Sequence, residues 1–279
     1  MTRAGKKIAN QRSRYLHERH MEDGQGLYFS IKNEKLEFRS DQHLWLTAHL
    51  EKINRLLSLK STDRFLDLGC GEGFLTLPLS YQSGESLGLD FAMSAIKALK
   101  KQQRYNHKLL SLAVASVDNI PIHGRRIDKL LCNHVLEHVI DDDAIVREMY
   151  RVISPNGLVL IGVPLELSYQ IQIGIRLRRF FFPWVRKLQL ESVEPGKVVT
   201  KLIGVQSHIR FYSLEAVFDL LERNNFEVLN TEGIGISLPK SLRNLVRKNK
   251  ILFKISITLG HQIPAICDGV LILARRVSR

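Results

Sequence analysis

Three glycines at alternate positions, set directly behind an apolar run, constrain this chain more than any other feature. They fall in Arg64-Phe-Leu-Asp-Leu-Gly-Cys-Gly-Glu-Gly-Phe74. Residues Phe65–Leu68 read as a short buried strand, and the apolar run after Gly73 opens like a helix. A strand that turns through glycines into a helix leaves backbone N–H groups free around a ligand. Residues without side chains let that ligand approach the main chain. Asp67 places a carboxylate at the C-terminal end of the strand, the edge at which open parallel sheets bind ligands. A dinucleotide fingerprint needs a further glycine at position 74, which is Phe, and a phosphate-cradling loop needs Gly-Lys-Ser/Thr, which is absent. The next strand, Ser86-Leu-Gly-Leu-Asp90, ends in an acid 19 residues after Gly71. Such folds hold ribose hydroxyls with a carboxylate at about that distance.

Further along, strand and helix patterns alternate as in a doubly wound sheet. Helical patterns cover Ala92–Gln103 and Asp141–Val152, and strands are predicted at Leu109–Val114, Ile127–Cys132 and Leu158–Val163, the last entered through a Pro155-Asn-Gly157 turn. A helix beginning near Asp41 carries Leu44, Trp45, Ala48, Ile53, Leu56 and Leu57 at helical spacing, with Ser40 or Asp41 placed to cap it. Ser213 caps a predicted helix to Asn224, and Phe226–Thr231 and Cys267–Arg275 read as closing strands. The loop Asn133-His-Val-Leu-Glu-His138 matches the H-x-x-E-H of inverted zinc proteases. That chemistry needs both histidines on one face of a long helix and a third ligand beyond, whereas here the motif follows directly on a strand. Zinc hydrolysis is therefore not expected.

Taken in order, Asp67–Gly73, Gly88-Leu-Asp90, Val135-Leu-Glu-His-Val139 and Arg151-Val-Ile-Ser-Pro-Asn-Gly157 resemble the class I S-adenosylmethionine-dependent methyltransferases. The closest branch is the broad group that includes the ubiquinone and menaquinone methyltransferases. The resemblance spans roughly residues 64–164 and resumes near His208. It implies an α/β fold with a doubly wound, seven-stranded, mostly parallel sheet and helical insertions. It implies S-adenosylmethionine as cofactor, with Asp67, Gly69, Cys70, Gly71 and Gly73 around its methionine and ribose portions. Asp90 would bind the ribose hydroxyls, Phe91 would lie against the adenine face, and Asn133 would meet the amino-acid end. Family members carry an acid five residues before the proline of a Leu-Pro-Phe-like segment. Here that segment is Ile120-Pro-Ile122 and the aligned position is Ser116, a departure. The adenine contact then falls to Ser116 and the backbone around Val117, or to Asp118. His138 first and His134 second are the candidate general bases, since imidazole has the right intrinsic pKa; the alternative is that they only orient the loop. No resident metal is expected, although weak Mg²⁺ dependence stays open, because some members of the group use a divalent ion near this loop.

Charge separates the core from its attachments. The formal net charge is +13 over 279 residues. Residues 1–20 carry six Lys/Arg against Glu18, residues 165–210 carry eight against three acids, and residues 236–265 carry six against none. The rest of the chain is close to neutral, so an anionic partner outside the cofactor pocket is expected. We read residues 1–40 as a basic extension and 41–279 as the methyltransferase domain. Insertions fall at 165–207, the substrate lid of the resembling family, and at 236–265. The first insertion interleaves arginines with Phe180, Phe181, Phe182 and Trp184. That pattern suits an anionic membrane interface, suits nucleic acid less well in the absence of an appended RNA-binding module, and also suits an aromatic face packed on the core. No apolar run of spanning length and no apolar leader are evident, and three scattered cysteines suggest reduced thiols. A cytoplasmic protein, peripheral at the inner face of a membrane, is the expectation. The function expected is methyl transfer, at oxygen, to a hydrophobic or amphiphilic small molecule or lipid-linked intermediate. The alternatives are an RNA methyltransferase and a non-catalytic protein of the same fold. Oligomeric state is not legible.

Overall fold

A computed structural model describes residues 29–32, 35–38, 43–103, 110–165, 210, 212–236, 246, 249–264 and 267–277. The expectations for residues 1–28 and for the aromatic-basic insertion over 166–207 lie outside those residues. A small antiparallel hairpin, β1 (Phe29–Lys32) with β2 (Lys35–Phe38), lies within the stretch read as a basic extension. The main sheet follows. It consists of β3 (Arg64–Leu68), β4 (Glu85–Asp90), β5 (Leu110–Val114), β6 (Ile127–Asn133), β7 (Ile153–Pro164), β8 (Phe226–Gly233) and β9 (Gly269–Arg276). Its spatial order is β5-β4-β3-β6-β7-β9-β8, parallel throughout except for β9, which runs antiparallel to both neighbours. This is the mostly parallel, seven-stranded arrangement that the sequence implies.

Alternation along the central strands fills two layers, because successive side chains point to opposite faces. Phe65, Leu131, Leu160 and Leu271 point to one face, where they meet Ile53, Leu56 and Leu57 of helix α1 (His43–Leu57) and Leu79 of the short helix α2 (Thr76–Ser80). Leu66, Leu130, Val159 and Ile272 point to the other, against Ile145, Val146 and Met149 of α4 (Asp142–Val152) and Val217, Leu220 and Leu221 of α5 (Leu214–Arg223). Helix α3 (Met93–Gln103) buries Ile96 and Leu99 beside Leu77 and Leu110, as its periodicity predicts. Side-chain caps form: Asp141 Oδ1 accepts from the Ala144 N–H and Ser213 Oγ, as predicted, from that of Ala216. Caps of this kind contribute about 1 kcal/mol each.

β7 departs from expectation. It begins at Ile153 and runs through Pro155-Asn-Gly157 rather than starting after it. Asn156 takes φ +63° and the pairing with β6 shifts register between Ile127 and Lys129. The turn residues thus form an irregularity inside a strand instead of a loop before one. In the insertion at 236–265, helix α6 (Lys250–Gln262) is capped by Asn249, whose Oδ1 accepts from the N–H groups of Ile251 and Leu252.

Candidate active site

The glycine bend leaves β3 with all three glycines at positive φ: +80° at Gly69, +51° at Gly71 and +87° at Gly73. Their surroundings differ. A Cβ on Gly73 would fall 2.1 Å from Leu99 Cδ1, inside a buried cluster, so this position is small to let α3 pack. A Cβ on Gly71 would meet nothing within 4 Å. Gly71 is therefore where the main chain faces open space, as a ligand-cradling bend requires. The bend is tied to the end of β4 on both sides. The N–H groups of Gly69 and Cys70 donate to Leu89 O at 2.7 and 2.9 Å. Asp90 Oδ2 accepts from the Gly71 N–H at 2.9 Å and Oδ1 from the Ala92 N–H at 2.8 Å. The buried Asp90 carboxylate thus fixes the shape of the bend.

Asp67 is turned to a structural task that its position in the motif does not reveal. It is buried, and Oδ2 accepts from the Thr76 hydroxyl at 2.6 Å, which fastens the start of α2 to β3. Burial, reinforced by the charge of Asp90 and opposed by the Thr76 hydrogen bond, pushes its pKa up to about 7. After β5, Ser116 Oγ donates to Asp118 Oδ1, so the two polar candidates for the adenine contact form one unit, with Val117 buried between them. The Ala115 N–H donates to Asp90 O at 3.0 Å and holds this segment beside β4. Phe91 is half-buried next to Asp90. The thiol of Cys70 is buried in the bend, and burial raises its pKa.

The end of β6 supplies the acid–base groups. His134 sits at φ +56°, an uncommon conformation for a residue with a Cβ. Its N–H donates to Gly162 O at 2.8 Å, which anchors it to β7. His134 Nδ1 lies 2.9 Å from Glu137 Oε1, in the one-turn 3₁₀ helix Leu136–His138. The Glu137 side chain is fully buried while that of His134 is 38% exposed, so the pair presents its imidazole outward and its carboxylate inward. Burial opposes the charge on Glu137. The hydrogen bond from His134 and the charges of His134 and His138 outweigh it and hold the carboxyl below its ordinary range. Glu137 Oε2 is buried without a hydrogen-bond partner. His138 is half-buried and its N–H closes the 3₁₀ turn on Val135 O.

One member of the cluster was not anticipated. His49 of α1 places Nε2 3.3 Å from Asn133 Oδ1, and its ring centroid lies 6.2 Å from that of His134. Burial, with the neighbouring His134 adding to it, lowers its pKa to about 3, so the ring is neutral. A signal was available: His49 and Lys52 fall at helical spacing with Leu46, Ile53 and Leu56, on the same buried stripe. Lys52 Nζ donates to Gly233 O at 2.7 Å, joining α1 to the end of β8. Beneath the loop, Arg210 pairs with Asp142 and donates to Ile140 O at 2.7 Å, and the Tyr212 hydroxyl donates to Asp142 Oδ2 at 2.9 Å. These buried groups secure residues 136–142 from the segment that follows the first insertion. Among the described residues, no group of three His, Cys, Asp or Glu is arranged to hold a metal ion.

The sequence candidates on β3, β4 and β6 are thus gathered at the C-terminal edge of the parallel strands, with Ser116–Asp118 alongside. Comparison with known proteins agrees with this geometry. Residues 66–161 match the methyltransferase domain family model. A demethylmenaquinone methyltransferase of Lactobacillus johnsonii is 29% identical over 69% of this chain and 82% of its own length. A ubiquinone biosynthesis O-methyltransferase of Rickettsia prowazekii is 21% identical over 71% of this chain and 72% of its own. The fold is shared with the 1,6-didemethyltoxoflavin-N1-methyltransferase of Burkholderia thailandensis, solved with its substrate and S-adenosylhomocysteine. The TM-score is 0.62 at 14% identity, over 100% of this chain and 92% of that one. With an open glycine bend and a carboxylate at the end of β4, residues 66–161 carry a methyltransferase domain, and the chain is similar to the S-adenosylmethionine-dependent methyltransferases, the ubiquinone and menaquinone enzymes among them.

Proposed function

We propose that this enzyme methylates an oxygen of a hydrophobic or amphiphilic small molecule, a hydroxylated aromatic compound of the quinone-precursor type, with His134 as the proton acceptor. The observation that carries this reading is the His134–Glu137 pair, 2.9 Å apart, with the carboxylate buried and the imidazole exposed. A phenolic oxygen must lose its proton to become a good nucleophile. An imidazole oriented from its far nitrogen by a buried carboxylate suits that task, because the carboxylate fixes the ring and favours the charge that it gains. The hydrogen bond between Glu137 and His134 is what gives His134 precedence. His49, neutral and buried behind Asn133, orients rather than titrates.

The open face of Gly71, the main chain from Gly69 to Gly73 and the Asp90 carboxylate would hold the cofactor, with Asn133 at its amino-acid end. When bound, S-adenosylmethionine supplies an electrophilic methyl group on a sulfonium sulfur. Each Asp90 oxygen already accepts one backbone N–H and keeps a lone pair to accept a hydroxyl. The relatives named for ubiquinone biosynthesis and for demethylmenaquinone support an acceptor with an aromatic head and an apolar body.

The test offers the full chain S-adenosylmethionine with alkyl-tailed catechols and phenols, and separates products by mass spectrometry. The expected result is a product heavier by one methylene on oxygen, formed far more slowly by Glu137→Gln. Methylation confined to carbon or nitrogen, or a His134→Ala variant as fast as the parent, would overturn the reading.

A further inference from the structure

We infer that helix α6 docks the enzyme on an anionic lipid surface through its outward apolar face. Phe253, Ser256 and Gly260 make the inner face of this helix and are buried. At Gly260 the approach to the sheet is close: a Cβ on facing Gly233 would stand 2.4 Å from Gly260 O. The opposite side is unusual. Ile251 is 71% exposed, Leu252 37%, Ile255 50% and Leu259 39%, and Ile263 beyond the last turn is 48% exposed. At 3.6 residues per turn these five positions share one continuous arc of about 120°. Gln262 falls within it between Ile251 and Ile255, Thr258 borders it on one side, and Lys254, also exposed, stands farther round on that side.

Charge selects the occupant. Residues 236–265 contain six Lys/Arg and no acid. A second copy of the chain would bring the same cations against this region, so self-association is opposed electrostatically. Among the described residues of the exposed face, a nucleic acid would find no aromatic side chain on which to stack a base. An aliphatic arc flanked by Lys254, in a stretch of sequence with six cations and no acid, fits the boundary between headgroups and acyl chains of an anionic bilayer, where the apolar side enters and cations meet lipid phosphate. Among the described residues no helix is long and apolar enough to cross a membrane, so the contact proposed is peripheral.

The location gives this contact a use. β8 runs parallel to β7, so Gly233 lies at the same sheet edge as the active-site loop. Two strand spacings, about 10 Å, separate it from Gly162, where His134 is anchored. Lys52, one turn from His49 on α1, bonds the Gly233 carbonyl against which α6 packs. A bilayer under α6 would therefore lie at the same sheet edge as the active-site loop. The lipid assignment is independent of the acceptor proposed above, and vesicle binding is measured without acceptor or cofactor, so the two readings fail separately.

The experiment sediments the full chain with vesicles of phosphatidylcholine alone and of phosphatidylcholine with phosphatidylglycerol. It compares the parent with Ile255→Ser/Leu259→Ser and with Lys254→Glu. The expected result is parent protein on the anionic vesicles and about a tenfold or larger loss of partitioning in the double variant, with Lys254→Glu intermediate. Melting temperature and cofactor affinity stay unchanged, since the altered side chains are exposed. Parent protein left in the supernatant with anionic vesicles overturns the inference. So does a double variant that partitions like the parent, a dimer in gel filtration that the double variant dissolves, or RNA binding that the double variant loses.

Discussion

Replacing Gly71 and Gly73 with alanine, one at a time, separates a ligand-facing position from a packing position within a single bend. At Gly71 the cost to the fold is that of an L residue at φ +51°, about 1 kcal/mol, because the added methyl meets no atom within 4 Å. At Gly73 the backbone cost is similar, but the methyl also arrives 2.1 Å from Leu99 Cδ1. Leu99 is fully buried with Cys70, Leu77, Ile96 and Leu110, so it moves only by displacing them. Overpacking of that kind adds roughly 1–3 kcal/mol. For a chain of this size about 1 kcal/mol lowers the melting temperature by roughly 2–4 °C. Gly71→Ala should therefore melt a few degrees below the parent and Gly73→Ala roughly 5–15 °C below it, on the same conversion. Cofactor affinity should respond in the opposite order. The methyl of Gly71→Ala occupies space the ligand needs, and a tenfold or larger rise in Kd for S-adenosylhomocysteine, about 1.4 kcal/mol or more, is expected by calorimetry. Wild-type affinity in Gly71→Ala, or equal melting temperatures for the two variants, would refute the division of labour.

Glu137→Gln should lower kcat by about 10–100-fold, roughly 1.4–2.8 kcal/mol, while the Kd for cofactor measured by calorimetry stays within about twofold. Arg210→Met leaves Asp142 buried without its cation and should cost about 3–5 kcal/mol of stability, read as a large fall in the urea midpoint. Asp67 gives a pH dependence with a defined sign. Its folded-state pKa, raised to about 7 from an ordinary 3.8, means that the fold retains a proton the unfolded chain releases. Its contribution is fully present below about pH 4 and is lost as the pH rises to about 7, by up to about 4 kcal/mol. Asp67→Asn, neutral throughout, should flatten the urea midpoint between pH 5 and 8 relative to the parent.

The core was legible because each central strand is a short apolar run bounded by turn residues, and because Asp141 and Ser213 announce their helices by capping them. The glycine bend was legible for a related reason: glycine and aspartate at fixed spacing answer to local backbone geometry. What the sequence withheld depends on contacts between distant segments. His49 reaches Asn133 across 84 residues; its place on the buried stripe of α1 signals an inward polar residue but does not name its partner. Asp67 is expected at the cofactor from its place in the motif, and its bond to Thr76, nine residues on and brought round by the bend, was not legible beside that expectation. Glu137 lies inside a motif that looks metallic on paper. Only the 3₁₀ turn shows it as the buried support of His134. The course of β7 through Pro155-Asn-Gly157 was masked by three residues that normally end a strand. Here the pairing of Ile127 with Ile153 carries the ladder across them.

The placement of β9 between β7 and β8 dictates an order of assembly. β8 emerges from the ribosome first, yet its ladder partner is β9, which follows α6. Until residues 269–276 have been made, β8 has no template and the docking site for α6 against it is incomplete. The half of the sheet that carries the glycine bend can close early. The side bearing Gly233 and the proposed lipid-facing helix must wait, so a nascent chain stalled before β9 would hold a formed glycine bend beside an unzipped flank.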